Sequence, residues 1–252
     1  MSLRGRAALV TGAAGGMGVA HARRLAAAGA TVAVNDLRDS TALSALAEEI
    51  GGFTVAGDVS DPRECRRIAD AVAERAGRLD VLVANHAYMT MAPLLEHDDA
   101  DWWKVVDTNL GGTFFLIQAV LPHMRARGEG RIVVISSEWG LTGWPEATAY
   151  AASKAGLVAL VKTLGRELGP EHIIVNAVAP GVIDTPQLQV DADAAGVSLD
   201  EIRRSYAAGI PAGRIGSPDE IAAAVEFLAS FDMEAVVGQV ISCNGGSTRT
   251  RG

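Results

Sequence analysis

Short apolar runs alternate with stretches of helical period along the whole chain, and this alternation restricts the fold more than any other feature. The apolar runs fall at 7–10, 31–34, 53–55, 81–83, 132–135, 173–175 and 240–241, and the helical patterns at 19–28, 62–75, 102–124, 150–168 and 217–230. Strands that are apolar on both faces and separated by helices bury themselves as a parallel sheet covered on both sides. The expected fold is therefore α/β, a doubly wound parallel sheet of about seven strands with helices on both faces, occupying 1–252 as a single domain. Ser217 ahead of Pro218 predicts a helix start, with a hydroxyl cap and a proline in the first turn. One stretch, about 184–209, breaks the pattern. It is polar and alanine-rich with a weak helical period from Leu199, and it reads as a movable substrate-binding flap.

Composition narrows the partners. Hydrophobic residues make up 49% of the 252 and charged ones 21%, enough for one large core. Acidic residues number 30 against 22 basic, a formal charge of −8. That balance argues against nucleic acid, which needs a basic stripe to displace counterions. Arg66, Arg67, Arg203 and Arg204 are interleaved with acids and read as solvated helix faces. Cys65 and Cys243 read as reduced thiols, and no CxxC or His/Cys cluster offers a metal site. The first residues run straight into a strand without a signal-like apolar core. No apolar stretch approaches the about 18 residues that span a bilayer. A soluble, cytoplasmic protein with no membrane partner is expected.

The first strand leads into Thr11-Gly12-Ala13-Ala14-Gly15-Gly16-Met17-Gly18, and a helix follows at once. Glycines there let the chain turn tightly and let the backbone approach a pyrophosphate at the helix N-terminus, where free N–H groups and the dipole favour anions. An ordinary glycine-rich turn has the same composition, so the turn alone does not decide. The second strand ends at Asp36, eighteen residues beyond Gly18. A carboxylate at that point can accept hydrogen bonds from a ribose diol and would repel a 2′-phosphate, which favours NAD over NADP. Arg38, two residues on, could grip that phosphate and keeps NADP open.

Tyr150-Ala151-Ala152-Ser153-Lys154 opens the fourth of the helical patterns. At i and i+4 the phenol and ammonium share a helix face. The ammonium is expected to favour phenolate, moving the tyrosine down from its usual pKa of about 10. A phenol so tuned can protonate a carbonyl oxygen or take a proton from an alcohol.

With these residues in place, the sequence resembles the short-chain dehydrogenase/reductase family over nearly its whole length. Motifs similar to the family's fall in order: the turn with Thr11, Gly12, Gly16, Met17 and Gly18; Asp58-Val59; Asn109-Leu110-Gly111-Gly112; Ser137, thirteen residues before Tyr150; Pro180-Gly181 with Ile183 and Thr185; and Asn244-Gly245-Gly246. The resemblance implies a Rossmann-like fold and a catalytic tetrad of Asn109, Ser137, Tyr150 and Lys154. Tyr150 would be the general acid/base, and Lys154 would lower its pKa and hold the nicotinamide ribose. Ser137 would polarise the substrate oxygen, and Asn109 would anchor a water leading to Lys154. Ser136 competes with Ser137, but strand alternation lets only one of them face the site. Asp58 and Val59 would contact adenine, and Pro180, Gly181, Ile183 and Thr185 would hold the nicotinamide carboxamide.

The chain departs from the family where Asn-Asn-Ala-Gly is usual, reading Ala84-Asn85-His86-Ala87. Asn85 would still steady the cofactor side. His86 could carry a proton, touch substrate or only shape the pocket. With His86, the residues Tyr88, Glu138, Trp139, Trp144, Leu188 and Tyr206 are the expected substrate lining. Two tryptophans so close after Ser137 suggest an apolar substrate, ring- or chain-shaped. The activity implied is NAD(H)-dependent interconversion of a secondary alcohol and its ketone, on a small-molecule substrate. NADPH-dependent reduction of a 3-oxoacyl thioester is the alternative; the acidic charge speaks against an acidic carrier-protein partner. A dinucleotide-sensing regulator without chemistry is a further alternative. The resemblance also implies a homotetramer, and Ala151, Ala152, Ala155, Gly156 and Ala159 permit close packing along the Tyr150 helix.

Overall fold

The structure is a computed structural model and describes residues 2–248; the ends of the domain expected over 1–252 lie outside the described residues. In chain order the elements are β1 Ala7–Val10, α1 Gly16–Ala27, β2 Thr31–Val34, α2 Thr41–Glu49, β3 Phe53–Thr54, α3 Pro62–Ala76, β4 Val81–Ala84, α4 Asp99–Val106 and, after a π turn at Asp107–Gly111, α5 Gly112–Arg127. Then come β5 Gly130–Ile135, α6 Trp139–Thr142, α7 Thr148–Leu168, β6 Ile173–Pro180, α8 Gln187–Ala195, α9 Leu199–Ala208, α10 Pro218–Ala229 and β7 Val240–Cys243. The strands form one seven-stranded sheet in the order β3-β2-β1-β4-β5-β6-β7. Every pairing is parallel. This is the Rossmann-like, single-domain α/β arrangement expected from the sequence.

The period of two along the strands divides the core into two layers. Leu9, Leu82, Ile132 and Val175 face one way, packing with Ile68 and Val72 of α3, Leu116 and Val120 of α5, and Leu157 and Val161 of α7. Val10, Val83, Val133 and Val178 face the other, with Leu25 of α1, Leu43 and Leu46 of α2, and Val225 and Leu228 of α10. Each fully buried aliphatic side chain contributes about 1.5–3 kcal/mol, so both sheet faces must be covered for the fold to stand. The strand order reverses between β1 and β4. Chains leaving their C-terminal ends diverge there and open a crevice, the usual ligand position in such sheets.

Local signals hold where side chains carry them. Ser217 and Glu220 form a capping box that starts α10, with Pro218 in its first turn. Three features go beyond the sequence reading. The helix expected at 102–124 runs from Asp99 to Arg127 and is interrupted by the π turn, which shifts the helix phase at Asn109. By length and composition this run could cross a membrane, a point the search for continuous apolar residues passed over. Its Leu116, Ile117, Val120 and Met124 are instead core residues of the sheet face. The stretch at 184–209 holds a helical hairpin, α8 and α9, with α9 started by a Ser198–Glu201 capping box. Both ends of the hairpin are pinned where Ile183 bridges Gly216. Cys65 and Cys243 are free thiols, as expected, and no cluster of metal-ligating side chains occurs among the described residues.

Candidate active site

The crevice at the strand-order reversal holds two cavities that share Met17, Asn85, Ala87, Tyr88, Thr185 and Gln187 in their walls. The larger, about 720 Å³, lies over the glycine turn. Gly12 sits at φ +62, and a Cβ there would come within 2.9 Å of the His86 backbone. At Gly18 a Cβ would lie 2.1 Å from the Gly12 carbonyl oxygen, so glycine is needed to close the turn. Gly15 enters α1 extended, with no side-chain cap and no acid in the first helical turn, leaving the helix's first N–H groups facing the cavity. The residues present fit a dinucleotide pyrophosphate there. Asp36 stands at the rim, where its Oδ2 accepts from the Ala14 N–H at 3.0 Å and its Oδ1 from the Leu37 N–H at 2.8 Å. Arg38 is exposed and does not line the cavity.

Of the residues expected at the cofactor, Gly12, Gly16, Met17, Asp36, Asp58, Val59, Asn85 and Thr185 line this cavity. Tyr150, Lys154, Pro180, Gly181 and Ile183 line the second, which also shares Met17, Asn85 and Thr185. Thr11 and Gly18 line neither. Thr11 is fully buried, and its Oγ1 accepts from the Asn85 and His86 N–H groups at 3.1 and 3.2 Å, stitching the end of β1 to the end of β4. It builds the turn rather than touching what the turn holds.

The second cavity, about 470 Å³, is formed where β5 hands over to α6. Ser136 Oγ donates to the Lys154 carbonyl at 2.9 Å and locks β5 to α7. Ser137 lines the cavity together with Tyr150, and its Oγ accepts from the Trp139 N–H at 3.2 Å. Both serines line the cavity, so strand alternation does not separate them as expected, and it is the resemblance that selects Ser137. Gly140 makes the approach possible, because a Cβ there would meet the Lys154 backbone carbon at 2.7 Å. Gly140→Ala is therefore expected to push α6 off α7, costing about 1–3 kcal/mol of stability and at least about tenfold in turnover. Denaturant titration and initial rates measure the two effects.

Lys154 is 1% exposed and donates from Nζ to the Ile135 carbonyl at 2.7 Å. Burial pulls its pKa down to about 8. The Nζ stands 5.5 Å from the centre of the Tyr150 ring. The tyrosine does not shift as the sequence suggested: burial raises its pKa, and the neighbouring Ser137 hydroxyl opposes that rise. Desolvation outweighs an ammonium that points at a backbone carbonyl.

Asn109 Oδ1 accepts from the Tyr88 N–H at 2.7 Å, and its Nδ2 donates to the Tyr88 carbonyl at 2.9 Å and to Ser153 Oγ at 3.1 Å. The side chain is fully buried, lines neither cavity and clamps α7 to the chain beyond β4. The π turn is what aims it there.

His86, expected at the substrate, instead lines the dinucleotide-side cavity. Its Nδ1 lies 2.8 Å from Thr11 Oγ1 and its Nε2 3.5 Å from Thr113 Oγ1. Burial, with the Lys154 charge adding, pushes its pKa down to about 3, so the ring is the neutral, singly protonated imidazole at working pH. Of the three roles left open for it, shaping the pocket is the one the structure displays.

Tyr88, Glu138, Trp139, Trp144, Leu188 and Tyr206 all line the second cavity. Trp139 and Trp144 are stacked, 5.1 Å apart and 7° from parallel, and Trp139 meets Tyr150 edge-on at 5.9 Å. Glu138 is buried and bonded to the Ser247 hydroxyl, holding the chain beyond β7 against the site. Reading the sequence missed Met89, Met91, Gln187 and Asp191, which also line it. Gln187 and Asp191 are four residues apart, a helical pairing that shows only once the flap is recognised as helix. It also missed His21, buried in α1 with neither ring nitrogen hydrogen-bonded and its pKa lowered by burial to about 4.

The fold and its paired cavities define a class: single-domain α/β proteins with a dinucleotide-binding glycine turn beside a cavity lined by a tyrosine and a lysine. Residues 12–248 match the family described as Enoyl-(Acyl carrier protein) reductase. The chain is similar to the 3-oxoacyl-[acyl-carrier-protein] reductase FabG of Thermotoga maritima, at 39% identity over 98% of this chain and 99% of that one. It is equally similar to the cis-4-hydroxycyclohexanecarboxylate dehydrogenase of Sinomonas cyclohexanicum, 39% identical over 96% of each. Among solved structures, levodione reductase superposes with a TM-score of 0.91 at 33% identity, covering 96% of this chain and 97% of the other. The chain belongs to the short-chain dehydrogenase/reductase family and is an oxidoreductase.

Proposed function

We propose that this oxidoreductase interconverts a secondary alcohol and its ketone with NAD(H), using Tyr150 as general acid/base. The carrying observation is that Tyr150, Ser137 and Lys154 line one cavity, which shares walls with another edged by Asp36. The bound nicotinamide supplies or accepts the hydride. The protein's part is position and proton. Tyr150 gives its hydroxyl proton to the carbonyl oxygen in reduction and takes it from the alcohol in oxidation. Ser137 Oγ holds that same oxygen, and its hydrogen bond strengthens as charge develops there. Lys154 would hold the nicotinamide ribose with the protons not given to Ile135, and keeps a positive charge behind the phenol. Asn109, as placed here, supports α7 from behind. The Trp139–Trp144 wall excludes water and favours an apolar, ring-shaped substrate.

The fixed carboxylate of Asp36 supports NAD, since a 2′-phosphate would face it across the rim. Asp36→Ala with Arg38 kept is expected to move the NADP-to-NAD ratio of kcat/KM up by about tenfold or more, about 1.4 kcal/mol of removed repulsion. A wild type that already prefers NADP overturns the assignment. A second reading, NADPH-dependent reduction of a 3-oxoacyl thioester, is favoured by the similarity to the 3-oxoacyl-[acyl-carrier-protein] reductase of Thermotoga maritima. One spectrophotometric panel decides between them: secondary alcohols, cyclic ketones and an acetoacetyl thioester, each with both cofactors. No turnover of any alcohol or ketone sinks the first reading.

We place the enzyme in the cytoplasm as a homotetramer acting on a small molecule, without nucleic acid or membrane partners. The acidic surface supports the last point. Exposed Ala152, Ala155 and Ala159 on α7, with Trp103 and Phe114 at 58% and 42% exposure, offer apolar surface that an assembly would cover.

A further inference from the structure

The substrate cavity is acidic away from the reacting end. Three charged side chains line it: Lys154, Glu138 and Asp191. Lys154 is buried at the catalytic end and committed to the Ile135 carbonyl. Glu138 is buried against Ser247. Asp191 comes from α8 in the flap, where Gln187 Nε2 donates to its Oδ1 at 3.1 Å and the Tyr206 hydroxyl to its Oδ2 at 3.2 Å. Those two bonds fix the carboxylate and leave further lone pairs to accept from a ligand. The neighbouring cations are turned elsewhere. Arg203 pairs with Asp184 at 3.0 Å, and Lys104 lies over the Tyr88 ring and lines only the dinucleotide-side cavity. An anionic group reaching the flap end therefore meets a carboxylate with no compensating cation.

Resting on the functional reading above, we infer that Asp191 selects ring alcohols and ketones carrying a neutral or cationic hydrogen-bond donor remote from the reacting carbon, and rejects the same rings bearing a carboxylate. The aromatic wall takes the ring and the flap carboxylate reads the remote substituent. A relative named for a cyclohexanecarboxylate substrate makes the distinction a sharp one for this chain.

The test compares 4-hydroxycyclohexanecarboxamide with 4-hydroxycyclohexanecarboxylate, a near-isosteric pair differing in charge. Wild type is expected to favour the amide at least about tenfold in kcat/KM, which corresponds to about 1.4 kcal/mol. Asp191→Asn is expected to bring the two within about threefold. Tyr206→Phe, which loosens the flap but keeps the charge, is expected to preserve the discrimination; a collapse in that variant too assigns the effect to flap packing and overturns the role of the charge. Competitive inhibition of wild type by cyclohexanecarboxamide against cyclohexanecarboxylate reads the same preference without any variant. Equal use or inhibition by acid and amide overturns the inference while cyclohexanol turnover keeps the functional reading intact. Absence of cyclohexanol turnover with either cofactor removes both.

Discussion

Tyr150→Phe is expected to lose about a thousandfold or more in kcat while binding the dinucleotide within about threefold of wild type, as removal of a positioned acid/base does. The substitution removes one oxygen from a ring wedged edge-on against Trp139, so the cavity keeps its shape. Only the proton donor goes. Stopped-flow turnover and fluorescence titration of the reduced cofactor separate the two quantities. Retention of most of the wild-type rate would remove the phenol from the chemistry. The raised pKa of Tyr150 in the cofactor-free site adds a direction. At neutral pH the phenol holds its proton, the form that ketone reduction needs, and alcohol oxidation gains as pH rises.

Lys154→Met is expected to cost at least about a hundredfold in kcat, the scale of a group acting beside a general acid, yet to leave the cofactor-free protein no less stable at neutral pH. Burial lowers the lysine from its ordinary 10.5 to about 8. Keeping the ammonium charged in the fold therefore costs on the order of 3 kcal/mol below pH 8. Methionine fills the stem's volume without that charge. Loss of the hydrogen bond to the Ile135 carbonyl offsets about 1–3 kcal/mol of the gain. The sign with pH is fixed by linkage. Between about 8 and 10.5 the unfolded chain holds a proton that the folded one has released, so wild-type stability rises through that window. The variant's advantage should be greatest below pH 8 and fade toward 10.5. Urea titrations at several pH values measure it, and an advantage that grows with pH would contradict the buried-charge account.

Much of this was legible in the chain. Strand positions, the glycine turn, Asp36 and the Tyr150–Lys154 helix all rest on short-range rules of period, turn geometry and i+4 spacing. The tertiary environment was not legible. The phenol was expected to move down because spacing reports only that an ammonium is near. Where that ammonium points, and how deeply both groups are buried, depends on the Ile135 carbonyl and on α6 folding over through Gly140. Asn109 was placed in the right helix, but a π turn leaves no period to read, so its clamp on the Tyr88 backbone was invisible. His86 was noticed as a departure, yet only the meeting of β1, β4 and α5 shows it bonded between two threonines. The first half of the flap was not read as helix because its apolar positions are few; Leu188 and Ala192 alone anchor α8 inward.

The bridge between Ile183 and Gly216 gives that flap its independence. Backbone hydrogen bonds Asp184 N–H to Gly216 O and Gly216 N–H to Val182 O, both 2.9 Å, close the loop at its neck. The segment distal to the neck brings Leu188, Asp191 and Tyr206 to the second cavity, while Ser137, Tyr150 and Lys154 stand on elements outside it. Divergence in what such an enzyme accepts can thus accumulate in side chains of a segment that holds none of those three.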